Sequence, residues 1–192
     1  MSDELQQETI QEITNTSQEL QLLSTNILNW IKYQNENRRQ AKENFNLFET
    51  VNQVMGVLNS LAKQKNLVLV NKIDDQLRIH QYFEPMKILI YNLLTNAINF
   101  TEKGTIEISS QPEDDQLTIA VKDEGVGMTP EQIKNIMADQ FIVSSANIDN
   151  RKGNGLGYLI IKDLIKMMGA TLNIDSEKGI GTTVSFTLNI TK

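Results

Sequence analysis

The stretch Asn92-Leu93-Leu94-Thr95-Asn96-Ala97-Ile98-Asn99-Phe100-Thr101 decides how the rest of this 192-residue chain is interpreted. Asn92, Asn96 and Asn99 recur at intervals of four and three residues, which places them on one face of a helix. The apolar residues between them fill the other side of the helix, which can lie against a sheet. A buried carboxamide without partners is costly, and its oxygen suits Mg2+ that accompanies a polyphosphate. Helix capping and surface polarity explain these residues equally well, so the downstream sequence must decide.

The composition indicates a folded, acidic chain. Hydrophobic residues make up 40% of it and there are three prolines, which is typical of a globular protein. The net charge of -6 argues against broad nucleic-acid binding through phosphate attraction. Because the chain has no cysteine, it has no disulfide, thiolate metal site or cysteine nucleophile. No apolar run approaches the roughly 20 residues that span a bilayer, and the N-terminus lacks a signal-peptide pattern. We therefore expect a cytoplasmic fragment, whose full-length protein can still be membrane-anchored.

Residues 1–44 are predicted to form a separate region dominated by one long helix, from residue 4 to about residue 40. No proline or glycine interrupts it, and a heptad-like seam runs along it through Ile10, Ile13, Ser17, Leu20, Ser24, Ile27, Ile31 and Gln34. A lone helix of this length cannot bury such a stripe. We expect pairing in a homodimer, with packing onto its own domain as the alternative. The polar run 34–44 predicts a linker or a frayed helix end.

Residues 45–192 carry the mixed pattern of an α+β domain. Helices are predicted over about 51–66, 84–100, 129–137 and 156–168, and strands over 45–47, 67–73, 77–82, 105–110, 117–122, 170–176 and 182–190. The polar residues 111–116 are predicted to form a hairpin turn. This order predicts a two-layer α/β sandwich, in which a mixed sheet has helices on one face.

Two glycine clusters follow the asparagine helix. Asp123-Glu124-Gly125-Val126-Gly127 comes directly after a predicted strand, and its glycines let the backbone turn sharply and approach a flat ligand. The carboxylate at the strand end can accept a hydrogen bond from an exocyclic amine such as that of adenine, although a plain loop explains this cluster equally well. Gly153-Asn154-Gly155-Leu156-Gly157 opens a helix whose free N–H groups form an anion site. Its spacing matches neither a dinucleotide fingerprint nor a P-loop.

A long polar segment, residues 137–152, lies between the two clusters. It carries Phe141 and ends in the basic pair Arg151 and Lys152, just before the predicted anion site. A segment of this length without clear structure is either disordered or a functional lid, and the basic pair favours a lid over phosphates. A third glycine turn, Gly179-Ile180-Gly181-Thr182-Thr183, leads into the last strand.

In this order, the motifs resemble the ATP-binding catalytic domain of sensor histidine kinases, in the superfamily shared with gyrase and MutL. Residues 92–101 resemble the N box, residues 123–127, 153–157 and 179–183 the three glycine boxes, and Phe141 the F box. The resemblance covers roughly residues 45–190. A weaker match likens residues 29–34 to the second helix of the kinase dimerisation hairpin.

The resemblance implies a role for each matched position. Asn96 would coordinate Mg2+ bridging the phosphates of ATP, and Asp123 would recognise the adenine amine. Gly125 and Gly127 would shape the pocket. The other implied nucleotide contacts are Asn99, Phe100, Phe141 as the lid anchor, Arg151 and Lys152 at the terminal phosphates, Gly153, Gly155, Leu156, Gly157, Thr182 and Thr183. The implied chemistry is in-line phosphoryl transfer, achieved by positioning and charge neutralisation.

Asn92 bears on the type of reaction. The hydrolysing relatives place a glutamate one helical turn before the metal asparagine, as the base that activates water. An amide cannot act as that base. The resemblance therefore implies that Asn92 and Asn96 belong to a catalytic site for phosphoryl transfer to a protein side chain.

The chain departs from the family pattern in two ways. The family usually has lysine or arginine where this chain has Asn99, and no H box with a phosphoacceptor histidine is present. The only histidine, His80, falls in a predicted strand, where a structural or surface role is expected. We therefore predict ATP and Mg2+ binding without self-phosphorylation.

The expected partners are a phosphoacceptor histidine segment of the same or a partner subunit and a response-regulator receiver domain. Two alternatives stay open. One is a non-catalytic regulatory module that binds ATP or a partner. The other is a serine kinase of the anti-sigma type, although its dimerisation lacks a long leading helix.

Overall fold

The structure, a computed structural model, describes residues 41–138 and 156–190. The long helix and the lid predicted from the sequence lie mostly outside these ranges. The elements in chain order are β1 (Glu43–Asn46), α1 (Leu47–Gln64), β2 (Leu67–Lys72), β3 (Arg78–Gln81), α2 (Phe83–Phe100), β4 (Gly104–Glu113), β5 (Gln116–Asp123), α3 (Pro130–Met137), α4 (Leu156–Met168), β6 (Thr171–Glu177) and β7 (Gly181–Asn189).

The main sheet has five strands in the order β2-β4-β5-β7-β6. β2 runs parallel to β4, and the other neighbouring pairs are antiparallel. β1 and β3 form a separate antiparallel pair. The predicted mixed sheet with helices is confirmed.

The helices cover one face of the sheet. Inward-facing residues such as Ile119 and Phe186 are completely buried, and so are Leu89 of α2 and Ile161 of α4. The outward-facing residues of the same strands are small or polar and remain partly exposed. This alternation is what a half-buried antiparallel sheet requires. Within the described ranges, none of the helices has the length and apolar character needed to cross a membrane.

Local capping signals set the helix ends. The Oδ1 atom of Asn46 accepts a hydrogen bond from the N–H of Glu49 at 2.9 Å, which caps α1. At α3, Thr129 and Gln132 form a reciprocal capping box, with Pro130 in the first turn. Gly169 follows α4 at a φ of 66°, in the left-handed conformation that glycine favours after a helix.

Two predicted boundaries are wrong. Leu47 was expected in the first strand but begins α1, because Asn46 caps the helix and places Leu47 in the core. The predicted hairpin turn over 111–116 is also too long. The strands continue to Glu113 and resume at Gln116, leaving a two-residue turn with Asp114 at a φ of 50°. A two-residue turn with positive φ matches the twist of paired strands, so the ladder extends through residues that look like a loop by composition.

Candidate functional site

The inward faces of β5, β7 and β6 change from apolar to polar at one end of the sheet. The strand register aligns Asp123 of β5 with Thr182 of β7, and Thr182 with Ser176 of β6. The next inward-facing row is entirely apolar and consists of Val121, Val184 and Ile174. We call Asp123, Thr182 and Ser176 the polar row. It marks the point where the core ends and a polar ligand can be held.

Asp123 is a buried carboxylate with only 8% of its surface exposed. The N–H of Gly125 donates a hydrogen bond to its Oδ1 atom at 2.8 Å, and the backbone N–H of Thr182 also donates to the carboxylate. Burial raises the pKa of Asp123 above its ordinary value, and these two hydrogen bonds oppose the rise in part. An ionised carboxylate only accepts hydrogen bonds, so Asp123 suits a ligand that presents an amine.

Tyr158, in the first turn of α4, lies close enough to Asp123 to sense its charge. Burial and then the negative charge of Asp123 raise the pKa of Tyr158 to about 12. The phenol therefore stays protonated at neutral pH.

The first glycine loop is joined tightly to its surroundings. A Cβ atom on Gly125 would collide with the carbonyl oxygen of Phe100, the last residue of α2. That same oxygen accepts the N–H of Val126 at 3.1 Å. Gly127 has a φ of 62°, and a Cβ atom there would collide with the carbonyl of Glu177. Both positions need glycine, and the loop links the asparagine helix to the β6–β7 turn.

The three asparagines of α2 have three different environments. Asn92 is buried, and its Nδ2 atom donates to the carbonyl oxygen of Ile88 at 2.8 Å within the same helix. Asn96 is partly buried and Asn99 is exposed. The shared spacing therefore does not give the three amides a shared role.

Asn96 lies against the start of α4. A Cβ atom on Gly157 would be 3.0 Å from Asn96 Oδ1 and 3.3 Å from Asn96 Nδ2, closer than packing normally allows. The Nδ2 atom is buried without a hydrogen-bond partner among the described residues. Such an atom costs about 1–3 kcal/mol unless a ligand pairs with it. An amide in this position can offer its oxygen to Mg2+ and its nitrogen to a phosphate oxygen, so the residues present fit both groups.

Two further predicted site residues, Phe100 and Thr183, lie within the described ranges. Phe100 ends α2 beside the first glycine loop. Thr183 lies on the outward face of β7, opposite the polar row. Phe141, Arg151, Lys152, Gly153 and Gly155 lie outside the described residues, and Leu156 is described only as the first residue of α4.

His80 is exposed on β3, in the separate two-stranded sheet, where it is aligned with Asn44. Its position in a strand agrees with the sequence prediction.

Sequence reasoning missed two residues at the site. Ser176 forms hydrogen bonds to residues beside both glycine turns. In the sequence it alternates with Leu172 and Ile174, and this pattern could have shown that its side chain faces inward. Lys65 donates from Nζ to the carbonyl oxygens of Ile98 at 2.8 Å and Asn99 at 3.1 Å, at the end of the asparagine helix. No local pattern predicts this second contact, because 33 residues separate Lys65 from Ile98.

Comparison with known proteins identifies relatives of this arrangement. Residues 83–192 match the family described as histidine kinase-, DNA gyrase B- and HSP90-like ATPase. The chain is 32% identical over 180 residues to the sensor histidine kinase RcsC of Salmonella typhimurium, covering 93% of this chain and 19% of that protein. It is 36% identical over 130 residues to the histidine protein kinase SaeS of Staphylococcus epidermidis, covering 66% of this chain and 37% of that protein.

Solved structures show the same fold. The histidine kinase AdeS of Acinetobacter baumannii superposes with a TM-score of 0.71 at 17% identity, covering 100% of this chain and 87% of that chain. Full-length ShkA in complex with AMPPNP gives a TM-score of 0.72 at 19% identity, covering 98% of this chain and 39% of that chain. The chain spans about one fifth of the length of the RcsC protein.

Proposed function

Because the chain belongs to the histidine kinase-, DNA gyrase B- and HSP90-like ATPase family and carries the ATP-binding domain of a sensor histidine kinase, we propose that it binds ATP with Mg2+ and donates the γ-phosphate to a histidine. The acceptor is a histidine other than His80, on the same or a partner subunit. His80 lies on a strand of the separate two-stranded sheet and not on a dimerisation helix, which supports this choice.

The observation that carries the proposal is the polar row at the end of the otherwise apolar inward faces of β5, β7 and β6. Asp123 is buried there as an acceptor, with two backbone N–H groups holding its carboxylate in place. Gly125 and Gly127 let the loop after Asp123 pack against the carbonyls of Phe100 and Glu177, which fixes the position of this loop beside the proposed base site. In this proposal the carboxylate of Asp123 accepts a hydrogen bond from the 6-amino group of adenine. ShkA, which has the same fold, was solved with the ATP analogue AMPPNP.

The phosphates would lie between Asn96 and the start of α4. When bound there, Mg2+ would supply positive charge that offsets the negative charge of the phosphates. Asn96 would hold the ion through Oδ1, and the positive end of the α4 helix dipole would face the phosphates. Gly157 lets this helix start approach the amide. Arg151 and Lys152 would add charge from the lid, and Phe141 would anchor it.

Asn92 favours transfer over hydrolysis. An amide has no basicity with which to deprotonate an attacking water. In addition, Nδ2 of Asn92 is bonded to Ile88 of its own helix. A nucleophilic histidine imidazole brings its own lone pair, so transfer needs no base at this position.

Calorimetric titration with ATP, with and without Mg2+, tests the binding part of the proposal. Asn96→Ala should lose the Mg2+-dependent part of the affinity, and Asp123→Asn should weaken ATP binding in either condition. Thr187→Val, on the outward face of β7, is the matched control and should bind as the parent does. Tight binding that is indifferent to Mg2+ and to Asn96→Ala would contradict the metal assignment.

Labelled ATP and Mg2+, supplied together with a separate histidine-bearing dimerisation segment, test the transfer. Acid-labile phosphate should appear on the added segment and not on His80. Label on His80 would overturn the choice of acceptor.

One observation favours a non-catalytic regulatory module as a second candidate. Asn99 is exposed and neutral at a position where kinase relatives usually carry a basic residue. If that charge is essential, the chain would bind ATP without donating phosphate. Restoring it with Asn99→Lys should then switch on transfer to the added segment, whereas an active kinase would already transfer before the change.

The proposed partners follow from the kinase assignment. A response-regulator receiver domain would take the phosphate from the histidine, and the heptad-like seam in residues 4–40 supports a homodimer in the full protein. The net charge of -6 argues against a nucleic acid as a partner, because it would repel the phosphates.

A further inference from the structure

The hydroxyl of Ser176 makes three hydrogen bonds, which join both glycine turns. It accepts the N–H of Met128 at 2.8 Å, just after the first glycine loop. It donates to the carbonyl oxygen of Gly181 at 2.9 Å, in the third glycine turn. The third contact is with the hydroxyl of Thr182, at 2.8 Å between Oγ and Oγ1.

The number of hydrogens determines the direction of the third bond. A serine hydroxyl has one hydrogen and two lone pairs. The hydrogen of Ser176 is directed to Gly181, so the hydrogen between the two hydroxyls must come from Thr182. Thr182 then has no hydrogen left to donate elsewhere. Its remaining lone pair is available only as an acceptor.

Thr182 stands next to Asp123 in the polar row, and its own N–H is bonded to that carboxylate. Two acceptors therefore lie side by side at the place proposed for the base. We propose that Ser176 is a specificity-determining positioning residue, which holds the Thr182 hydroxyl as an acceptor and so favours a 6-aminopurine over a 6-oxopurine. This inference rests on the proposed function, because it requires the base of the nucleotide to lie at Asp123.

The chemistry of the two bases gives the selectivity. The 6-amino group of adenine has two hydrogens, which can reach the Asp123 carboxylate and the Thr182 oxygen. The 6-oxo group of hypoxanthine or guanine presents lone pairs instead, which would face two acceptors and leave them unpaired. With Ser176 absent, the Thr182 hydroxyl can rotate and donate to a 6-oxo group. Loss of Ser176 should therefore weaken ATP binding and improve the relative binding of ITP.

The test compares the dissociation constants of ATP and ITP, which differ at purine position 6 and in the hydrogen that ITP carries on N1. In Ser176→Ala, the preference for ATP over ITP should fall about tenfold, equivalent to about 1.4 kcal/mol. Ser176→Thr keeps the hydroxyl and should keep the preference. Thr187→Val is the matched control, because it breaks the 2.9 Å hydroxyl pair of Thr118 and Thr187 on the opposite face of the same strands. It should leave the preference unchanged.

A double-mutant cycle with Thr182→Val tests whether Ser176 acts through the hydroxyl of Thr182. Thr182→Val removes the acceptor, so it should lower the preference by itself, and Ser176→Ala should then add little. If Ser176→Ala fails to fold, Thr182→Val still tests whether the Thr182 oxygen contributes to the preference for ATP. An equal loss of ATP and ITP affinity in Ser176→Ala, or no change in either, would overturn the inference while the proposed function stands. Failure of the parent protein to bind ATP would overturn the proposed function itself, and the inference with it.

Discussion

Asp123 is buried, which disfavours its charged form, but its proposed role needs the carboxylate as a hydrogen-bond acceptor. A buried carboxylate is costly in its ionised form, yet the proposed recognition of the adenine amine requires an acceptor at that place. Its raised pKa shows that burial outweighs the two backbone hydrogen bonds. The folded state therefore holds the Asp123 proton more tightly than the unfolded state does. The stability that results is fully present below the unfolded pKa and is lost as the pH rises through the folded pKa.

Asp123→Asn should stabilise the nucleotide-free protein at neutral pH, by about 1 kcal/mol. The neutral amide keeps an oxygen for the N–H of Gly125, and it removes the buried charge. Urea unfolding at pH 7 and at mildly acidic pH checks this. The gain should shrink as the pH falls, because Asp123 itself becomes protonated. The same variant should bind ATP more weakly, and a variant that is less stable at pH 7 would contradict the account.

Gly157 is needed because a side chain there would collide with the Asn96 amide, and not because of its backbone conformation. In Gly157→Ala the new Cβ atom would meet the Asn96 amide at about 3.0 Å, so the amide must move. We expect the affinity for ATP with Mg2+ to fall by about tenfold or more, a cost of about 1.4 kcal/mol or above.

Gly56→Ala is the control for the Gly157 variant. Gly56 lies within α1, and a Cβ atom there would have nothing within 4 Å. This change should raise the free energy of unfolding by about 0.5–1 kcal/mol and leave ATP affinity unchanged. Calorimetry with ATP and Mg2+ and urea unfolding measure the two effects. Unaltered ATP affinity in Gly157→Ala would show that the Asn96 amide does not hold the phosphate end.

At the scale of elements, local signals in the sequence predicted most helices and strands. The apolar period of α2, the capping pair Thr129 and Gln132 and the terminal Gly169 all act within a few residues, so they can be recognised without the fold. The hairpin between β4 and β5 was predicted with too long a turn, because its last paired residues are polar. Their ladder depends on the partner strand, which composition does not show.

The end of α2 depends on a contact from another element. Its last turn has no basic residue. Lys65, just after α1, places its ammonium group on the carbonyls of Ile98 and Asn99. A cation at a helix C-terminus is favourable by hydrogen bonding and by the helix dipole. Lys65 thus supplies, for the helix end, the positive charge that α2 itself lacks.

Lys65→Met should lower the free energy of unfolding by about 1 kcal/mol, because two carbonyls at the end of α2 lose their charged donor. Lys63→Met is the matched control, since Lys63 is exposed in the last turn of α1. Urea unfolding should show a clearly smaller loss for the control. Equal losses in both variants would mean that the effect comes only from net charge.

At the scale of the whole molecule, different residues of the sheet form the apolar core and the proposed binding site. On β5, β7 and β6 the inward face is apolar except for the polar row, which lies where β5 and β6 end and β7 begins. The sequence could predict Asp123 and Thr182 from their glycine neighbours. It could not predict that Ser176 completes the row, because the order β5-β7-β6 brings the three strands together only in the fold. The binding site is therefore a property of strand order as well as of motifs.

This arrangement predicts that nucleotide and metal stabilise the molecule as one unit. ATP at 100 times its dissociation constant should add about 2.7 kcal/mol to the free energy of unfolding, which corresponds to a rise of roughly 5–10 °C in Tm. The rise should be largest with Mg2+ and should shrink when the metal is chelated, because the Asn96 amide then has no ion to hold at the phosphates. Thermal unfolding of the parent and of Asn96→Ala measures both effects. In Asn96→Ala the rise with ATP should be the same with and without Mg2+, since the buried amide that has no partner among the described residues is gone. A full Mg2+-dependent rise in that variant would place the metal elsewhere.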